Sequence, residues 1–147
     1  MDFPAFDQNA LATIVAAMLG AAIGAEREWR RHPGGLRSGA LVAAASCVFA
    51  RIAVEHGGGS PGAGLGAIAT GVGFIGAGVI MHSEMHVRGL STAATFWAVA
   101  AIGMAVGLLE YGLGLTLTVV VFFAHVAMRP VSAWIDRRAP PEERGPR

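Results

Sequence analysis

Cut at its charged residues, the chain falls into uncharged or nearly uncharged runs of the length that crosses a bilayer as a helix, roughly 17–25 residues. Residues 8–25 make the first run, closed by Glu26, Arg27, Glu28, Arg30 and Arg31 and then by the turn residues Pro33, Gly34 and Gly35. Residues 38–54 make the second, in which Arg51 must carry its charge along its own stem toward a headgroup region. After the glycine-rich turn 56–64, a third run covers 63–81, and the polar stretch HSEMHVR, 82–88, ends it. The fourth, 89–109, stops at Glu110, and the fifth, 111–128, holds His125 as its one group that titrates near neutral pH before Arg129 and Pro130.

Composition agrees with that partition. Hydrophobic residues make up 54% of the chain and charged ones 14%, with a mean hydropathy of +0.55, too apolar for a water-soluble domain of this size. The expected fold is therefore all-α, a polytopic transmembrane bundle of five helices over residues 1–128, followed by a short cytoplasmic tail, 129–147, partly disordered. All eleven basic residues are arginines, and only Arg51 falls on the far side of the five spans if the loop after the first is cytoplasmic. The positive-inside rule then puts the N-terminus outside and the C-terminus inside. An acidic start, MDFPAFDQNA, lacks the basic region of a cleavable signal, so the first helix is expected to remain. A net charge of +1 gives no pull toward nucleic acid. The lone Cys47 reads as a small buried hydrophobe.

The glycines raise a question of chemistry. Gly71, Gly73 and Gly76 match the G-x-G-x-x-G spacing of a dinucleotide loop, which also needs an acid about 20 residues on. None stands between Glu84 and Glu110, and the flanks are apolar, so packing is the better reading. Between lipid-embedded helices small residues let backbones touch. Gly20 with Gly24, Gly71, Gly73, Gly76 and Gly78 in the third span, and Gly103 with Gly107, are the expected packing positions, with the third span as the central helix.

Three polar features gather on the expected cytoplasmic face. They are Glu26, Arg27 and Glu28 with Arg30, four residues from Glu26; Arg37 with Ser38; and Arg88 with Ser91 and Thr92. An arginine beside a helix N-terminus can bind an anion or a partner's carboxylate. The plainer alternative makes Ser38 and Ser91 N-caps and the arginines interfacial anchors. His82, Glu84 and His86 alternate in one loop and have the donor types of a metal site, but a solvated loop is the preferred reading, and no metal or cofactor is expected. No nucleophile stands beside a base, so no catalytic residue is assigned and no enzyme is expected. Trp97 lies deep in the fourth span and reads as packing.

Three blocks in order, GAAIGAEREWRRHPGGLRSGALV (20–42), GVGFIGAGVI (71–80) and VRGLSTAATFWAVAAIGMAVG (87–107), resemble the N-terminal membrane domain of the MgtC/SapB family. The resemblance implies a multi-pass protein of the bacterial inner membrane, linked to growth at low magnesium, acid tolerance, survival inside macrophages and virulence, with inhibition of the ATP synthase in some members. The matched positions are Glu26, Arg27, Glu28, Gly35, Leu36, Arg37, Arg88, Gly89, Leu90, Ser91 and Thr92, with Gly71, Gly73, Gly76 and Gly78. Where family members carry Arg-Thr-His this chain has Arg37, Ser38 and Gly39, and Ala63 and Ala67 replace an Arg and a Gln. The best-known members add a soluble domain, whereas only Arg129 to Arg147 follow the last span here, so the short form is expected.

Together these readings favour a non-enzymatic regulator of another membrane protein, with the ATP synthase implied by the resemblance, or of itself as a homo-oligomer. The alternative is a transporter or channel for magnesium, protons or phosphate. It is disfavoured by the scarcity of carboxylates that divalent cations prefer.

Overall fold

The computed structural model describes residues 3–56, 61–83 and 86–138. Five helices follow one another: α1 (Phe3–Trp29), α2 (Leu36–His56), α3 (Pro61–Val79), α4 (Leu90–Gly107) and α5 (Tyr111–Arg138). Two three-residue strands, β1 (Met81–Ser83) and β2 (His86–Arg88), pair antiparallel between α3 and α4, with Met81 opposite Arg88. All five helices are long and apolar enough to cross a membrane, so the chain is a multi-pass α-helical protein. The stretch 57–60, expected as a flexible turn, and the tail from 139 lie outside the described residues.

Several helices outrun the uncharged runs that announced them, because charge ends a membrane span but not a helix. Beyond the hydrocarbon, i,i+4 pairs support the next turn. Glu26 pairs with Arg30 at the end of α1, and Arg51 Nη2 donates to Glu55 Oε1 at 2.7 Å near the end of α2. α5 runs through Pro130, whose ring withholds one helix N–H, and continues for two further turns.

The helix order around the core differs from the expectation in one respect. α4 sits at the centre, with 56% of its span buried, while 11% of the α3 span is buried. Two seams of small residues explain the arrangement. A Cβ on Gly20 or Gly24 would collide with the backbone of Gly39 or Gly35, so α1 and α2 touch main chain to main chain. A Cβ on Gly103 or Gly107 would likewise strike the carbonyl of Ala43 or Cys47, which brings α4 equally close to α2. Ala12, Ala16, Ile23, Ala43, Cys47, Val99, Ile102 and Val106 fill the space between, and Cys47 is buried as expected.

The third-span glycines do not form such a seam. A Cβ on Gly71, Gly73 or Gly78 would meet nothing within 4 Å, and only Gly76 lies against α4, at Ala93. No two of them are four residues apart as the seam glycines are, and Gly71 and Gly73 point about 200° apart on α3, so they cannot form one close-packing stripe. Trp97 is also corrected, being 58% exposed on the outer face of α4.

Gly89 has a different task. Its φ of 94° makes the turn from β2 into α4, and a side chain there would strike the Val79 carbonyl.

The seams make a quantitative prediction for thermal unfolding in detergent micelles. Gly103→Ala should cost about 1–3 kcal/mol by overpacking. Gly71→Ala and Gly73→Ala should be neutral or stabilising by up to about 1 kcal/mol, the helix-propensity difference. The reverse order of stabilities would contradict the placement of α3.

Candidate functional site

The charged run that closes the first span becomes the centre of a polar cluster where α1, α4 and α5 converge. Arg27 is 3% exposed. Its Nε donates to the Pro33 carbonyl at 3.0 Å, Nη1 to Ser91 Oγ at 3.4 Å and Nη2 to Thr92 Oγ1 at 2.7 Å. One guanidinium thus ties the end of α1 to the following loop and to the first turn of α4. The glycine-rich turn permits this, with Gly34 at φ 80° seated against Phe96 and Thr92.

Glu26 faces α5. It pairs with Arg30, and its Oε2 stands 3.4 Å from Nδ1 of His125. The other ring nitrogen, Nε2, lies 3.1 Å from Thr95 Oγ1, whose own proton goes to the Ser91 carbonyl at 2.7 Å. A hydroxyl that has spent its proton can only accept, so Nε2 of His125 carries a hydrogen. The His125 Nδ1, buried without a hydrogen bond among the described residues, is then the atom turned to the carboxylate.

Glu28 serves a separate purpose. Its Oε2 accepts from the backbone N–H of Leu36 at 2.9 Å, placing a carboxylate at the N-terminus of α2, where the helix dipole favours it. Between α1, α4 and α5 remains a cavity of about 190 Å³ with Glu26, Arg27, Arg30, His32, Ser91 and His125 in its wall.

Of the eight residues expected at the site, the structure brings Glu26, Arg27, Ser91 and Thr92 into direct contact or one residue's reach of each other, with Glu28 on the opposite side of α1. Arg37 and Arg88 are exposed and Ser38 is half-buried, and none lines the cavity. Neither serine is an N-cap. α2 begins at Leu36 under the Glu28 carboxylate, and α4 begins after Gly89, which makes no side-chain cap bond. Among the described residues no three His, Cys, Asp or Glu side chains gather around a metal position, and Glu84 of the alternating loop lies outside them. Thr95 and His125 were not anticipated as site residues. The signal for His125 was its isolation as the one histidine of an apolar span without charged residues, where such a residue commonly has a partner in the bundle.

A profile of the MgtC family matches residues 13–134. The chain belongs to the MgtC family. It is 42% identical over 134 residues to Protein MgtC of Salmonella paratyphi A, covering 85% of this chain and 58% of that protein. Protein MgtC of Brucella abortus is 37% identical over 125 residues, covering 84% and 52% respectively. An uncharacterised protein of Synechocystis is 34% identical over 134 residues, covering 90% and 57%. The chain therefore spans little more than half the length of these relatives. No solved structure matches it. The matched range contains both the Glu26–Arg27–Glu28 run and the Ser91–Thr92 start of α4.

Two outcomes test this geometry. Arg27→Ala should destabilise the MgtC-family bundle by about 1–3 kcal/mol through the acceptors it strands. Arg37→Ala and Arg88→Ala should stay within about 0.5 kcal/mol. Nitrogen-15 NMR of the histidine rings at neutral pH should find the His125 proton on Nε2, and Thr95→Val should remove that preference. A ring protonated on Nδ1 alone would refute the hydrogen-bond assignment.

Proposed function

We propose that this chain is a regulator of the bacterial inner membrane that acts by binding another membrane protein and catalyses no reaction of its own. The observation that carries the reading is the packed centre of the bundle. Beyond the polar cluster, Ile23, Cys47, Val99, Ile102 and Val106 are completely or almost completely buried, between helices already at backbone contact. An ion or hydrated solute crossing there would have to replace its water with carbon, whereas cations such as magnesium need several oxygen ligands. The exposed faces of α2, α3 and α5 offer apolar surface to lipid and to a partner helix. Family membership makes adaptation to low magnesium, acid or intracellular stress the setting, and an ATP synthase is the first partner to examine.

The arginine distribution favours an outer N-terminus and an inner C-terminus, which puts Arg27 and the cavity on the cytoplasmic side.

The decisive experiment places the purified protein in sealed vesicles and follows magnesium, proton and phosphate flux. Flux should equal that of empty vesicles, while crosslinking in native membranes should capture a membrane protein in a ratio that Arg27→Ala lowers. Protein-dependent flux abolished by Arg27→Ala would establish the transporter reading instead.

A further inference from the structure

We propose that the cavity between α1, α4 and α5 binds a small oxyanion of the phosphate class, seated on Arg27 and Arg30. The proposal does not depend on whether the chain regulates a partner.

Charge is the first argument. The cavity wall carries two guanidiniums, Arg27 and Arg30, two imidazoles, His32 and His125, and a single carboxylate, Glu26. Glu26 is already engaged by Arg30 and faces His125, and Glu28, the other acid in this run, bonds the Leu36 N–H. Arg27 therefore has only neutral oxygens for partners while being almost wholly buried. A buried cation whose nearest carboxylate, Glu26, is shared with a second guanidinium is costly, and more so at the end of a membrane bundle. An anion in the cavity would relieve that cost.

Donor geometry is the second argument. A guanidinium has five N–H donors, and three of those on Arg27 are spent, leaving one on each Nη. Ser91 Oγ, in the first turn of α4, accepts from Arg27 and so keeps its own hydrogen to donate in the same wall. His32 directs Nδ1–H to the Arg30 carbonyl at 3.0 Å, which holds its ring beside the opening. Donors thus approach from α1, from the loop after it and from α4. A tetrahedral oxyanion can answer all three directions, whereas a carboxylate has two oxygens in one plane.

Size allows it, since about 190 Å³ is far above the ~10–15 Å³ that holds one water. The repulsion from Glu26 is offset by its pairing with Arg30. The phosphate can come from a lipid headgroup or from solution. Exposed Met128 and Ser132 of α5 form the cavity edge, open to either source.

The test uses the full chain in phosphatidylcholine nanodiscs. One arm titrates inorganic phosphate by calorimetry, and the other dopes the discs with phosphatidate and counts retained lipid by native mass spectrometry. One arm should show saturable one-to-one binding, weakened about tenfold or more by Arg27→Gln, equivalent to about 1.4 kcal/mol. Ser132→Asp, an exposed position that adds a carboxylate to the wall without touching Arg27, should weaken it comparably, so the proposal survives if Arg27→Gln fails to fold. Binding of phosphate identifies a soluble anion, and binding of phosphatidate alone identifies a headgroup. Absence of saturable binding in both arms, or binding indifferent to Ser132→Asp, overturns the proposal. A failed partner capture with intact anion binding would count against the regulator reading only.

Discussion

The structure depends on how closely its helices can approach. Lipid gives two apolar helices no hydrophobic reason to associate, so contact area and backbone proximity have to hold them together. α2, with Gly35 just before it, supplies that proximity on one stripe, Gly35, Gly39, Ala43 and Cys47, spaced by four residues. Its first half receives Gly24 and Gly20 of the antiparallel α1, and its second half receives Gly103 and Gly107 of the parallel α4. Both neighbours are thereby fixed in height as well as in distance, because a one-turn slip of about 5.4 Å would drive a side chain into a carbonyl.

That register delivers Arg27 to its acceptors. It lies one turn beyond Gly24 on α1, and Ser91 and Thr92 lie about three turns before Gly103 on α4, so the two seams bring them to the same level. The geometry also explains why the residue is arginine. Acceptors on a loop carbonyl and on two neighbouring hydroxyls lie in different directions, which suits a planar fork of fixed donors better than the single ammonium of a lysine. Packing sets the position, and hydrogen bonding then uses it.

The membrane spans were legible in the sequence because hydropathy is a property of one segment at a time. Which segments touch is a property of pairs, and there the legibility failed unevenly. Gly20 with Gly24 and Gly103 with Gly107 have the same four-residue spacing as Ala69 with Gly73, yet only the first two pairs meet a small-residue stripe on a neighbour. Spacing states that a helix can be approached, not that anything approaches it. The caps were misread for a related reason. Ser38 and Ser91 have the right side chains, but Glu28, eight residues before Leu36, and Gly89, with its positive φ, decide where α2 and α4 begin. The link from Thr95 to His125 joins residues 30 apart on two different helices, a relation no local pattern carries.

The short charged run at the end of α1 has the densest set of tasks in the chain. Successive helical residues point about 100° apart, so Glu26, Arg27 and Glu28 face three directions. Glu26 meets α5 through His125, Arg27 meets α4 through Ser91 and Thr92, and Glu28 meets the start of α2 at Leu36. Three consecutive side chains thus reach from one helix end toward three others. A carboxylate suits the helix N-terminus of α2 and the guanidinium of Arg30, while a cation suits the hydroxyl and carbonyl oxygens around Arg27. Reversing Arg27 and Glu28 would keep composition, hydropathy and net charge unchanged and still put a cation at the N-terminus of α2 and leave the Pro33 carbonyl without its donor. What marks the end of a span in the sequence is, in the folded bundle, the point where its polar contacts with the other helices are made.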